Sequence, residues 1–151
     1  MSDDIDFTLR LFPNHHRALV SMSNLEFQVD NAEEQLSRNI EIECYFQHAV
    51  IFRHMDGIVR LIYGTYMHKK GMAERRKEFL ERAEIQYNIA LQLMPDSAEV
   101  HYNLGLFYYD INKMNLALMH GNKAYELGFP LEGLRDKLKR KGVWDTTVSQ
   151  Y

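Results

Sequence analysis

The sequence predicts an all-α protein built from consecutive helix–turn–helix units. The clearest unit spans residues 98–130 and contains two helices of about four turns each. Asn112 tolerates the left-handed backbone that ends a helix, and Gly128 with Pro130 ends the second one. Apolar residues of the first helix recur at the three- and four-residue spacing of one helical face, namely Val100, Leu104, Phe107, Tyr108 and Ile111.

Two further units precede this one in the same register. The three units start at residues 16, 57 and 98, so each begins 41 residues after the one before it. A fixed period of this size is typical of α-solenoids, in which each repeat contacts only its neighbours. The sequence therefore predicts a single domain over residues 1–144, with a non-periodic tail that we expect to be mobile. Its parts are repeats at about 16–56, 57–97 and 98–130, a capping helix at 131–142 and the tail at 145–151.

The third unit resembles the tetratricopeptide repeat, a helix–turn–helix of about 34 residues. The resemblance rests on the Leu-Gly pair Leu104 and Gly105, followed by the aromatic residue Tyr108. It also rests on the small residues Ala117 and Ala124 and on the closing proline, Pro130. His101 occupies the place of the usual Trp, and Gly121 occupies that of a bulky aromatic residue. The resemblance implies a three-repeat solenoid with a terminal helix.

Longer segments also resemble a group of bacterial exported tetratricopeptide proteins. They include FPNHHRAL, VRLIYGTY and AYELGFPLEGLRDKLKRKGVW. This resemblance implies a mature protein in the periplasm, with a signal peptide on an upstream segment. The residues themselves leave the compartment undetermined, because MSDDIDF lacks the basic and apolar regions of a signal peptide.

The elements follow in order from the apolar spacing. Residues 5–12 form a short amphipathic helix, either the end of a second helix whose partner lies upstream or a simple N-terminal cap. Repeat one has a helix at about 16–29, a break at Asp30 and Asn31, and a second helix that runs to about residue 52. In repeat two, Gly71 is the predicted terminator of the first helix, and the residues added to the standard unit are predicted to lengthen the second helix. We therefore expect continuous helix over 73–94, with a loop at 75–78 as the alternative.

Three small-scale predictions concern packing. A glycine inside a helix costs roughly 1 kcal/mol relative to alanine, so Gly121 needs a contact that explains it. We expect Leu134 or Leu138 of the capping helix to fill the space of the missing aromatic side chain. His101 and His120 are expected to pack as half-buried ring substitutes for aromatic residues, and Cys44 as a small hydrophobe in an apolar helical stretch.

Composition restricts the function. The chain is 46% hydrophobic and 26% charged with a formal net charge of −3, which suits a globular protein and gives no broad electrostatic basis for binding nucleic acid. No apolar run reaches the roughly 18 residues of a membrane span. The seven histidines include no pair at i and i+4 for a metal, and no G-x-S-x-G or phosphate-binding loop occurs. We therefore expect no enzymatic activity and no cofactor.

A protein–protein interaction module is the function that remains. In such a solenoid the first helices of the repeats line a concave groove, which would hold a peptide or protein segment. A self-association scaffold forming homo-oligomers and, less favoured, an unrecognised helical enzyme are the alternatives. The chain's own C-terminal helix or tail filling the groove is a further possibility. The residues predicted to line the binding site are Thr65, His68, Lys69, Tyr102, Asn103, Leu106 and Tyr109.

Overall fold

The computed structural model describes residues 2–28 and 32–144. Within these ranges all regular structure is helical, so the all-α prediction is confirmed. None of the helices in this part of the chain has the length and apolar character that a bilayer crossing requires. The helices are α1 (Ser2–Leu11), α2 (His16–Glu26), α3 (Ala32–Phe52), α4 (Gly57–Glu74), α5 (Lys77–Leu93), α6 (Ala98–Asp110), α7 (Met114–Glu126) and α8 (Gly133–Arg140).

Sequential helices pack together in pairs, and α4 contacts both α2 and α6. The pairs α4–α5 and α6–α7 have the most extensive contacts because short turns join them. Aromatic rings fill the interior between pairs. Phe46 stacks on Tyr63 with ring centroids 4.7 Å apart, and Tyr87 lies 5.5 Å from Phe107. The core is therefore continuous from α3 to α6.

The predicted stops of the last two long helices are confirmed. Asn112 has φ +61° directly after α6, and Gly128 has φ +86° after α7. Ser97 begins α6, because its Oγ accepts a hydrogen bond from the backbone N–H of Val100 at 3.3 Å.

The prediction of one continuous helix over 73–94 is wrong. Helix α4 runs on to Glu74, Arg75 adopts a left-handed conformation with φ +55°, and α5 begins at Lys77. The residues added to this repeat lengthen both helices, to 18 and 17 residues against 13 in each of α6 and α7. Gly71 is not a terminator: it lies buried inside α4, where a Cβ atom would come 2.6 Å from Leu80 Cδ2.

Repeat one follows the prediction more closely. Its second helix, α3, has 21 residues and ends at Phe52 as expected. Its first helix is shorter than expected, because α2 ends at Glu26 and residues 27 and 28 form a turn. The predicted tail at 145–151 lies outside the described residues.

Helix α8 covers the last pair. Leu134 and Leu138 are fully buried against α6 and α7. A Cβ atom on Gly121 would lie 3.3 Å from Leu134 and 3.4 Å from both Leu138 and Trp144. The expectation that the capping helix fills the space beside Gly121 is therefore confirmed.

At the other end, α1 packs on α2 through the buried Leu9. This contact fits either prediction for the N-terminal helix: a simple cap, or the second helix of a preceding repeat.

Candidate binding groove

A groove of about 450 Å³ runs between α2, α4 and α6, which lie side by side. We call it the α2–α4–α6 groove. It is lined by His16, Arg17, Val20, Ser21, Ser23, Asn24, Ile58, Leu61, Ile62, Thr65, Tyr66, Lys69, Glu99 and Asn103. Most of these residues lie on the helix faces that the sequence predicts to line a groove.

One carboxylate fixes the start of α4 in this groove. Asp56 Oδ1 accepts hydrogen bonds from the backbone N–H groups of Ile58 and Val59 at 3.1 Å each. Its Oδ2 accepts from His16 Nε2 at 2.9 Å and from Asn14 at 3.4 Å. Burial raises the pKa of Asp56, but the bonds from His16 and Val59 outweigh it, and the pKa falls below its usual value. The start of α2 is thus tied to the start of α4.

The half of the groove near these helix starts carries aliphatic side chains together with the polar residues His16, Arg17 and Glu99. Val20 and Ile58 are each 42% exposed on facing helices. Leu61 and Ile62 also line the groove, with Leu61 buried and Ile62 half-buried. Exposed aliphatic side chains in a concave surface are suited to an apolar anchor residue of a ligand.

The half nearer the helix ends is polar. Lys69 Nζ lies 3.5 Å from Asn24 Oδ1, and no carboxylate in the described ranges pairs with this amine. Asn103 donates through Nδ2 to the carbonyl oxygen of Glu99 at 2.9 Å, which leaves its Oδ1 available to a donor. Thr65 donates to the carbonyl oxygen of Leu61 at 2.9 Å. This half therefore offers an amine and amide groups to a peptide backbone.

A buried hydrogen-bond network lies beside the polar half of the groove. His68 joins α4, α5 and α6, since Nδ1 lies 3.2 Å from the Tyr87 hydroxyl and Nε2 lies 3.0 Å from Asp110 Oδ2. Burial raises the pKa of Asp110, but the His68 hydrogen bond and the Lys137 charge outweigh it, so the pKa falls. His68 is only 8% exposed, and its role is to hold three helices together.

A second cavity of about 610 Å³ adjoins this network. It shares Thr65, Lys69 and Asn103 with the α2–α4–α6 groove and extends to Phe27, Leu106 and Lys137. The groove therefore continues toward α8 along the faces of α4 and α6.

Two of the predicted site residues are covered by the C-terminal part of the chain. Tyr102 is 9% exposed and stacks on Phe129 with ring centroids 4.0 Å apart. Tyr109 is half-buried, with Lys137 Nζ 5.2 Å from its ring centroid. Neither tyrosine lines the groove, because α8 and the segment before it lie on that side of α6. Among the described residues, coverage by the chain itself, one of the stated possibilities, thus applies to this part of the surface.

Of the seven predicted lining residues, four therefore lie in the open groove and three are engaged in packing or hydrogen bonds within the chain. Thr65, Lys69, Asn103 and Leu106 lie together in the open groove. His68 touches the groove but is committed to its network, and Tyr102 with Tyr109 belongs to the packing of α8.

Among the described residues, the histidines and the cysteine outside the groove form no cluster with the groove residues named above. His101 and His120 are packed, as expected, but they are buried rather than half-buried, and their rings contact each other. Cys44 was expected to pack as a small hydrophobe, but it is exposed, beside a cleft of about 690 Å³ formed by α1, α2 and α3. Across the part of the chain that is described, no three metal-ligating side chains come together.

No family model matches the chain, and no curated protein matches it closely enough to count as a relative.

Sequence reasoning missed Lys137 and the link from His16 to Asp56. The hydrogen bond between His16 and Asp56 could have been predicted from the repeat register, since residues about 41 apart lie side by side on neighbouring helices. The contact of Lys137 with α6 had no such signal, because α8 lies outside the repeat.

Proposed function

We propose that the protein is a tetratricopeptide-type repeat module that binds an extended or helical segment of a partner protein in the α2–α4–α6 groove. The observation that carries this proposal is the groove itself. Three helices line it, with exposed aliphatic side chains at Val20 and Ile58 and with polar side chains at Lys69 and Asn103. An apolar anchor beside backbone-pairing amides is the usual requirement of peptide recognition.

Four of the groove residues are not part of the buried core. Val20, Ile58 and Lys69 are exposed, and Asn103 makes only a local bond within its own helix. An apolar surface that is left exposed without a packing role indicates a partner.

The test is photo-crosslinking inside the source cell. A benzophenone amino acid at Val20 or Asn103 should capture one partner of defined mass. The same amino acid at Ile85 or Met119, which are 56% and 54% exposed on α5 and α7, serves as the control and should not capture it.

Other patterns of capture would refute the proposal. Crosslinks only between copies of this chain would support the self-association scaffold instead. Equal capture from all four positions, or none from Val20 and Asn103, would mean that the groove is not a binding site.

A further inference from the structure

The cavity of about 610 Å³ that continues the groove toward α8 combines apolar walls with buried polar groups. We call it the α4–α6–α8 cavity, after three of the helices that line it. Phe27, Met72 and Leu106 supply apolar surface. The side chains of His68 and Tyr87, both buried, line it as well. Apolar surface around a few fixed polar groups is typical of a pocket that receives a specific ligand group.

The charged side chains that line this cavity do not balance. They are two amines, Lys69 on α4 and Lys137 on α8, and one carboxylate, Asp110 on α6. Asp110 is already engaged, because its Oδ2 lies 3.0 Å from His68 Nε2 and its Oδ1 lies 3.7 Å from Lys137 Nζ. With His68 neutral, the lining carries one net positive charge, in a chain whose formal net charge is −3.

Both amines are able to pair with a ligand group. Lys69 is exposed, with its Nζ 3.5 Å from Asn24 Oδ1, and it forms no ion pair with any residue in the ranges 2–28 and 32–144. The side chain of Lys137 is 37% exposed, and its distance of 3.7 Å to Asp110 is longer than a hydrogen bond. A lysine ammonium on its flexible stem can turn toward a new acceptor without moving its helix.

We propose that the α4–α6–α8 cavity receives an acidic side chain, aspartate or glutamate, of the partner segment. This inference rests on the proposed function, because the segment must first lie in the α2–α4–α6 groove, which shares Thr65, Lys69 and Asn103 with the cavity. A carboxylate between two ammonium groups forms charge-assisted hydrogen bonds with both. The bound segment therefore places an apolar residue beside Val20 and an acidic residue beside Lys69.

Other side chains fit this cavity less well. A lysine or arginine of the partner would meet two amines of like charge, and the one carboxylate of the lining is already engaged. An aliphatic side chain would remove water from the amines without offering them an acceptor. An acidic side chain satisfies the amines and offsets the net charge of the lining.

The test begins with selection from a displayed library of random peptides on the purified chain. We expect the selected sequences to share an apolar residue and, at a constant distance from it, an aspartate or glutamate. Lys69→Glu with Lys137→Glu should select lysine or arginine at that second position instead. The matched control is Lys77→Glu with Lys123→Glu, which changes the net charge equally at exposed lysines of α5 and α7 and should keep the acidic preference.

Calorimetry on one selected peptide then measures the contribution of its acidic residue. The peptide is synthesised with an amidated C-terminus, so that its carboxylates are all on side chains. Replacing the acidic residue by the corresponding amide should weaken binding to the unaltered chain roughly tenfold. The same replacement should have little effect on binding to the Lys69/Lys137 variant, and all variants should keep their helical circular dichroism.

The groove and the cavity can fail separately. Val20→Asp, which places a charge among the aliphatic side chains of the groove, reports whether a selected peptide lies there. Loss of binding to this variant, with no effect of the amide replacement, would overturn the acidic preference and leave the groove as the binding site. An equal acidic preference in the Lys69/Lys137 variant and its control would do the same. Failure to select any peptide that is sensitive to Val20→Asp would overturn both proposals.

Discussion

The Nδ1 atoms of His101 and His120 lie 3.0 Å apart in the buried contact between α6 and α7. His101 Nε2 donates to the carbonyl oxygen of Pro95 at 2.9 Å, so its Nδ1 is the acceptor in the neutral ring and His120 is the donor. Burial first and the His101 charge second lower the pKa of His120 to about 4. The packed state thus requires His120 to be neutral.

Stability should therefore fall as the pH is lowered through the window from about 6.5 to 4. In this window the unfolded chain protonates His120 at its ordinary pKa and the folded chain does not, so protons favour unfolding. The loss has an upper limit of about 3 kcal/mol. Urea unfolding at both ends of the window measures it. His120→Gln should flatten the pH dependence, whereas His48→Gln, at an exposed position, should leave it unchanged; equal slopes in all three proteins would disprove the account.

A second prediction concerns the buried pair of Glu26 and Lys70. These side chains are 1% and 3% exposed, with Lys70 Nζ 3.4 Å from Glu26 Oε1. Burial raises the pKa of Glu26 despite the hydrogen bond from Tyr66. Lys70→Met should destabilise the fold by about 3 kcal/mol, because it leaves a carboxylate buried without a counter-charge.

The double variant Glu26→Leu with Lys70→Met is the matched control for that prediction. It should recover most of the lost stability, since no charge is left buried. The cost of Lys70→Met alone should also shrink at acid pH, where Glu26 binds a proton and needs no counter-charge. If the single and double variants are equally unstable in chemical denaturation at neutral pH, the loss comes from packing and not from charge.

A third prediction concerns Gly121. Phenylalanine there would collide with Leu134, Leu138 and Trp144, so Gly121→Phe should cost roughly 1–3 kcal/mol through overpacking. Asn122→Phe places the same side chain on the exposed neighbouring position and should have little effect on the melting temperature. An unchanged melting temperature for Gly121→Phe would show that α8 does not pack on this glycine.

A fourth prediction separates packing from binding on one helix. Tyr102→Ala should destabilise the fold by about 3 kcal/mol, because it removes the ring that stacks on Phe129. Asn103→Ala, at the next position, should leave stability within about 0.5 kcal/mol, since its described bond is local and partly exposed. Equal stabilities in thermal unfolding would place Tyr102 in the open groove after all.

Periodicity predicted the helices and most of the groove because both depend on spacing along the chain. Thr65, Lys69 and Asn103, three of the predicted lining residues, lie in the groove for this reason. The turn at Arg75 was not predictable in the same way. No glycine or proline stands at this turn, and Gly71, the nearest glycine before it, lies inside α4 against Leu80.

The burial of Tyr102 had a different cause. Within its own helix the residue stands on the outer face, and it is covered because Phe129, in the segment between α7 and α8, stacks on it. Contacts from the capping segment do not follow the repeat register. Spacing alone therefore could not separate Tyr102 from Asn103.

The most direct test of the central claim is the affinity for the segment captured from the groove, measured by calorimetry. Lys69→Ala with Asn103→Ala removes the amine and the amide that face the polar half without touching the core. We expect binding about tenfold weaker or more, at unchanged melting temperature, with Ile85→Ser as a control that binds normally. An unchanged affinity in the Lys69/Asn103 variant, or an equal loss in the control, would contradict a binding site in the α2–α4–α6 groove.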